Sequence, residues 1–247
     1  MSLNKYGLLG KSLSHSFSKD FFTQFFNENN LPAAYDLIEL ASTQNLTSFF
    51  NEEIKAYRGL NVTIPYKEHV LPFLDEIHED AMAIGAVNTI KVHESGSTTG
   101  YNTDAFGFHQ SIKPFLNLNH HRALLLGTGG ASKAVAHILE KIGLEVFYIS
   151  RTPKGEKTYG YSAINENMIS SCKLIVNCTP VGMYPNTNET IAFPHQYLTN
   201  DHLVIDLIYN PEQTLFLQNA AEQGSTILNG KTMLQQQALK SWDIWNQ

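Results

Sequence analysis

An ammonium and a carboxylate, Lys67 and Asp104, sit among hydroxyls and amides in four short polar clusters at residues 14–18, 61–67, 87–89 and 102–104. Each cluster falls near the end of a predicted strand. In open α/β sheets ligands bind at the carboxyl ends of strands, so these groups can converge on one pocket. Hydroxyls, amides, one ammonium and one carboxylate suit a polyhydroxylated acid. Reducing a ketone with a nicotinamide requires a proton at the oxygen as well as a hydride at the carbon. Lys67 can stabilise the developing alkoxide and deliver that proton, while Asp104 orients the lysine or a substrate hydroxyl. Taken singly, each residue has a plainer use. Ser18 and Asp104 can cap helices, Lys67 can be a solvated residue after Pro65, and Thr63 and Asn88 can be ordinary strand-end residues.

A second constellation supplies the redox partner. Gly127-Thr128-Gly129-Gly130-Ala131-Ser132 follows the apolar run 123–126 and precedes a helical pattern over 133–142. Close-approach glycines at a helix start let backbone N–H groups and the positive helix end hold a pyrophosphate. NAD sites place an acid about 20 residues past the first glycine, where it takes the ribose 2′-hydroxyl. Here the next strand ends in Ser150-Arg151-Thr152, with no acid. A guanidinium forks onto a 2′-phosphate and hydroxyls donate to it, so NADP is the expected cofactor, with Lys154 and Lys157 as further positive charge.

The elements that must position these groups read as an α/β chain in two parts. Strands are expected at 5–10, 34–40 and 59–63, a helix at 19–29, a hairpin of 87–92 with 98–101, and a connecting helix at 104–115. The alternation predicts parallel pairing with crossover helices. A doubly wound run follows, with strands at 123–126, 145–149, 173–177, 203–206 and 225–228 and helices at 132–142 and 214–223. The closing helix, 233–245, lies beyond the last of these strands and is expected to pack back on the first part. The expected division is a substrate-binding and catalytic domain at 1–102, to which 230–247 return, and a Rossmann-type NADP-binding domain at 103–229.

The totals narrow the partners. With 247 residues, 43% of them hydrophobic, the chain buries a core without staples. A net charge of −6 and the lack of a Lys/Arg block speak against nucleic acid. No apolar run suits a membrane span and no signal-peptide pattern opens the chain, so a cytoplasmic protein, monomer or homodimer, is expected. Cys172 and Cys178 are expected as reduced thiols, no metal is indicated, and His120-His121 reads as a solvated linker.

These motifs together resemble the shikimate dehydrogenase family over essentially the whole chain. His15-Ser16-Phe17-Ser18 matches its His-Ser-x-Ser, and residues 59–67 match Gly-x-Asn-Val-Thr-x-Pro-aromatic-Lys. Residues 85–89 match Gly-Ala-Val-Asn-Thr, 102–104 Asn-Thr-Asp, and 127–132 Gly-x-Gly-Gly-Ala-Ser. The resemblance implies NADPH-dependent, reversible reduction of 3-dehydroshikimate to shikimate, a step toward chorismate and the aromatic amino acids. It implies that Ser16 and Ser18 hold the substrate carboxylate, that Asn61, Thr63, Asn88 and Asp104 bind its hydroxyls, and that Lys67 and Asp104 are the catalytic pair. Tyr209 and Gln237 match further substrate-binding positions, and Leu207 and Gly230 positions beside the cofactor. The chain departs from the family pattern at Lys19, where proline is common, at Ser150 and Gly155, where the family has asparagine and a second arginine, and at Lys231-Thr232. Quinate dehydrogenases using NAD are related, but tend to carry threonine at the position of Ser18 and an acid near Arg151. A metabolite sensor without catalysis would have no need of both Lys67 and Asp104.

Overall fold

The computed structural model describes residues 3–13 and 16–247; Ser14 and His15 of the first polar cluster lie outside the described residues. The chain divides into two compact units, Met1–Thr103 with Ala238–Gln247, and Asp104–Gln237.

In chain order the first unit contains β1 (Asn4–Gly10), α1 (Phe17–Glu28), β2 (Ala33–Glu39), α2 (Asn45–Ser48), β3 (Gly59–Val62), β4 (Glu76–Ile77), α3 (Glu79–Ile84), β5 (Thr89–Val92) and β6 (Thr98–Tyr101). Its sheet runs β2-β1-β3-β5-β6-β4. Parallel pairing holds for β2-β1-β3, whereas β5 is antiparallel to both β3 and β6. The sheet is therefore mixed rather than wholly parallel, because the β5-β6 hairpin packs beside β3 with β5 running antiparallel to it. Alternation along β1 divides its side chains: Leu9 joins one apolar cluster with Leu60, Val62 and Ile90, while Tyr6 and Leu8 join another with Phe22 and Trp245. Gly59 is required beneath that tryptophan, since a Cβ there would overlap the indole, whose Nε1 donates to the Ile90 carbonyl at 3.0 Å.

Helix α1 begins two residues earlier than expected. Ser16, not Ser18, is its N-cap residue, and the Ser16 side chain makes no capping bond. The helical segment before β3 is irregular, with α2 continuing into a π turn, Phe49–Glu53, that buries Phe49 and Phe50.

The second unit contains α4 (Thr103–Ile112), whose first residue belongs to the first unit, then β7 (Arg122–Leu126), α5 (Gly130–Lys141), β8 (Glu145–Ile149), β9 (Thr158–Tyr159) and α6 (Glu166–Ser171). It continues with β10 (Leu174–Asn177), β11 (Leu203–Asp206), α7 (Leu215–Glu222), β12 (Thr226–Leu228) and α8 (Lys231–Trp245), the last part of which lies in the first unit. Its sheet, β12-β11-β10-β7-β8-β9, is parallel throughout. That is the doubly wound order in which direction reverses at the first strand, leaving a crevice beyond β7 and β10. Burial on both faces explains the unbroken apolar runs. Leu124, Leu126 and Ile175 enter one core, and Ala123, Leu125, Leu174 and Val176 the other. Among the described residues no helix is long and apolar enough to cross a membrane.

His120 corrects the expectation of a solvated linker: it is buried, and its Nδ1 accepts the Asn117 amide at 3.0 Å. His202 is fully buried, its Nδ1 accepting the Thr199 amide at 2.9 Å and its Nε2 donating to the Ile169 carbonyl at 3.0 Å, the pattern of a neutral ring. Burial holds both imidazoles below the ordinary 6.5. Folded-state pKa values below the unfolded one mean that the unfolded chain takes up more protons, so this stability is complete above that pH and is lost as pH falls. The melting temperature should decline on acidification from about pH 7 to about pH 5, and less steeply in His202→Gln. An equal slope in the variant would exclude His202 as a source of the decline.

Candidate active site

In the first unit the carboxyl ends of β1 and β3 and the start of β5 gather the expected substrate residues. Asn61, on β3, is buried. Its Oδ1 accepts from the Tyr35 hydroxyl at 2.7 Å, and its Nδ2 donates to Ser241 Oγ at 2.9 Å, Thr89 Oγ1 at 3.3 Å and the Asn88 carbonyl at 3.3 Å. Both ends of its amide are therefore bonded inside the fold. Asn88 is buried beside it, its Oδ1 accepting the Thr103 amide at 2.7 Å and the Thr103 hydroxyl at 3.2 Å. Burial pushes the Tyr35 phenol far above the usual tyrosine range, and Ser18 works against that shift. Asn61 and Asn88, which the sequence separates widely, thus belong to one buried polar network.

Ser16 differs from its neighbours. Its Oγ is buried without a hydrogen-bond partner among the described residues, and its cap position leaves that hydroxyl unused. A buried polar atom without a partner is costly and calls for a ligand or a water. Thr63 follows β3, its amide donating to the Leu9 carbonyl at 2.9 Å. Lys67 is half-buried in the same unit, with its carbonyl accepting the Val87 amide at 2.8 Å. Asp104 is buried in the first turn of α4 and opens the second unit. It lies inside the helix rather than at its cap.

The second unit carries the dinucleotide turn. Gly127 leaves β7 with φ +106°, which a side chain rarely tolerates, and Gly129 is the N-cap of α5. A Cβ on Gly129 or Gly130 would meet nothing within 4 Å, so open space lies beside the start of a twelve-residue helix. Ser132 turns inward, its hydroxyl donating to the Gly129 carbonyl at 2.6 Å and holding the turn. Thr128 and Ala131 complete it. A cavity of about 540 Å³ adjoins, lined by Gly127, Gly129, Ser150, Arg151, Thr179 and Ile191 among others. These features fit a dinucleotide pyrophosphate. Past β8, the Ser150 hydroxyl accepts the Thr152 amide at 3.2 Å and shapes the bend that carries Arg151. Arg151 is exposed and has no ion-pair partner among the described residues. Lys157 corrects the expectation of added charge here, because its ammonium pairs with Glu145 at 3.0 Å and lies 5.7 Å over the Phe147 ring.

Behind this turn stand residues that sequence reasoning missed. Asp206, fully buried at the end of β11, accepts from Asn177 Nδ2 at 3.0 Å, the Ile208 amide at 3.0 Å and the Thr214 hydroxyl at 2.6 Å. Burial raises its carboxyl, against which these donors work. Asn177 in turn accepts the Thr179 amide at 2.8 Å and so fixes a loop that lines the cavity. The signal was available, since an amide and an acid end two strands that otherwise read as core. The same frame sets the loop after β11. Leu207 is half-buried there and Tyr209 is exposed. The Gly230 amide donates to the Ile208 carbonyl at 3.0 Å, and a Cβ on Gly230 would overlap the Leu207 carbonyl. Gln237, on α8, is buried, its Nε2 donating to the Leu234 carbonyl at 3.0 Å. Among the described residues no group of three or more His, Cys, Asp or Glu side chains could hold a metal ion.

Comparison with known proteins places this geometry. The family model for the shikimate dehydrogenase substrate binding domain matches residues 8–90. The shikimate dehydrogenase (NADP(+)) of Carboxydothermus hydrogenoformans is 37% identical over 253 residues, covering 97% of this chain and 90% of that protein. A crystal structure of a shikimate dehydrogenase in complex with NADP+ superposes with a TM-score of 0.90 at 32% identity, over 98% of this chain and 90% of the other. The quinate dehydrogenase of Corynebacterium glutamicum in complex with NAD gives a TM-score of 0.86 at 29% identity, over 98% and 93%.

The open space at Gly129 yields a direct test. Gly129→Val should lower dinucleotide affinity by about tenfold or more by filling the phosphate position, while the melting temperature falls by no more than about 4 °C, as for the loss of a favourable N-cap residue. Titration of intrinsic fluorescence alongside thermal melting reads both. Unchanged affinity would put the pyrophosphate elsewhere.

Proposed function

The chain belongs to the shikimate dehydrogenase family, and from that premise we infer that it catalyses the reversible, NADP-dependent interconversion of shikimate and 3-dehydroshikimate. The observation that carries the cofactor is Arg151. An exposed guanidinium stands at the strand end where an NAD enzyme keeps a carboxylate, lining the same cavity as Gly127 and Gly129. When bound, NADP accepts the hydride from the carbinol carbon, and NADPH returns it in the opposite direction. Backbone N–H groups from Gly127 to Ala131 would hold the pyrophosphate. Ser150, Arg151 and Thr152 would hold the 2′-phosphate, and Leu207 and Gly230 would border the nicotinamide.

For the substrate, Ser16 and Ser18 would bind the carboxylate, and the buried Ser16 hydroxyl gains there the partner it lacks. Thr63 and Asn88 would bind hydroxyls, and Tyr209 and Gln237 would be further substrate-binding residues. Asn61 would act through Asn88 and Thr89, since its own amide is bonded within the fold. In oxidation the Lys67 amine takes the hydroxyl proton as the carbinol carbon is oxidised. In reduction its ammonium polarises the carbonyl and returns that proton to the oxygen. Asp104 would orient the lysine or the adjacent hydroxyl. On this reading Met1–Thr103 is the substrate-binding unit and Asp104–Gln237 the NADP-binding unit. As a biosynthetic enzyme with two free thiols, Cys172 and Cys178, it would work in the cytoplasm.

Purified protein given shikimate and NADP should generate reduced-nicotinamide absorbance, and quinate with NAD should give a lower kcat/KM. Preference for quinate with NAD would replace this reading. Lys67→Ala should lower kcat by about a hundredfold or more with a smaller change in KM, and a loss confined to KM would assign Lys67 to binding alone. Arg151→Ala should raise KM for NADP by roughly tenfold while leaving that for NAD nearly unchanged, and equal weakening would show that the guanidinium does not read the 2′-phosphate.

A further inference from the structure

Ser241 lies on α8, four residues past Gln237, and is fully buried in the first unit. Its Oγ accepts from Asn61 Nδ2 at 2.9 Å and stands 2.7 Å from Thr89 Oγ1 and 3.2 Å from Thr103 Oγ1. Those three partners come from β3, from β5 and from the residue preceding Asp104. Each of them in turn reaches Asn88: Asn61 through its carbonyl, and Thr89 and Thr103 through its Oδ1. One hydroxyl is therefore the junction where three segments behind the substrate residues meet.

We propose that Ser241 is a positioning residue for substrate binding, its buried hydroxyl holding Asn61, Thr89 and Thr103 in the arrangement that keeps the Asn88 amide oxygen turned into the fold. With the oxygen so occupied, Nδ2 with its two N–H groups is the end of the Asn88 amide from which a substrate hydroxyl would accept. Deleting the Ser241 hydroxyl leaves an Asn61 N–H and two threonine hydroxyls one partner short in a site closed to water. They must then re-pair, and Asn88 is the side chain they share. This inference rests on the reading of the protein as a shikimate dehydrogenase.

The test compares Ser241→Ala with Trp245→Phe, which removes a buried bond from the same helix to the Ile90 carbonyl outside the network. For Ser241→Ala, kcat/KM for shikimate should fall roughly tenfold, the scale of one buried hydrogen bond lost, chiefly through KM, with KM for NADP unchanged. Ser241→Cys, similar in shape but a weak hydrogen-bonding partner, should fall between alanine and wild type. Trp245→Phe should lower the melting temperature without a selective effect on KM for shikimate. If Ser241→Ala matches an active wild type, if both KM values rise together, or if Trp245→Phe reproduces the same selective rise, the inference is overturned. Wild-type protein that fails to turn over shikimate would overturn the underlying reading, and the inference with it.

Discussion

A buried amide must find partners for both its ends, and the site in the first unit is organised around that requirement at Asn61. Its oxygen and nitrogen are bonded to Tyr35, Asn88, Thr89 and Ser241, which come from β2, β5 and its leading residue, and α8. In a low-dielectric interior an unpaired polar atom costs about 1–3 kcal/mol, a sizeable fraction of a domain's net stability. An arrangement satisfying all these atoms at once is correspondingly hard to displace. Folding of the first unit thereby fixes the side chains proposed to align the substrate.

The second unit follows the same rule with a different outcome. Asp206, Asn177 and Thr214 satisfy one another beneath the strand ends, and the Ser132 hydroxyl closes back on Gly129. With the supports satisfied, open space lies beside Gly129 and Gly130 at the start of α5. Unsatisfied donors at a helix start, aligned with its dipole, are where a phosphate gains most. Ser16 Oγ is the counterpart in the first unit, a buried hydroxyl without a partner among the described residues.

Local pattern carried much of the architecture. Strands β6, β8 and β11 have the bounds expected of them because each is a short apolar or β-branched run bounded by turn residues. Helix α7 is likewise framed by Thr214, whose hydroxyl caps it, and Gln223. The two-residue strands β4 and β9 carry no periodicity to detect. The departure of β5 from parallel pairing depends on a tertiary choice between β3 neighbours. His120 next to His121 reads as polar linker, and only tertiary packing shows one ring buried and the other exposed. Of the site, residue types in motif order were legible. What was not legible is who bonds to whom: Ser241 is 180 positions from Asn61 and 152 from Thr89. Lys157 illustrates the converse, a cation in the right stretch of sequence whose charge goes to Glu145.

Internal hydrogen bonds hold the groups proposed to face the substrate in the first unit before any ligand arrives. A crystal structure of the protein with shikimate bound tests it most directly. The account predicts that Asn61, Thr89, Thr103 and Ser241 keep their mutual bonds with shifts within about 0.5 Å, the tolerance of a preorganised site, while Asn88 donates from Nδ2 to a substrate hydroxyl. Shikimate bound away from Asn88, or a network that opens to admit it, would contradict the account.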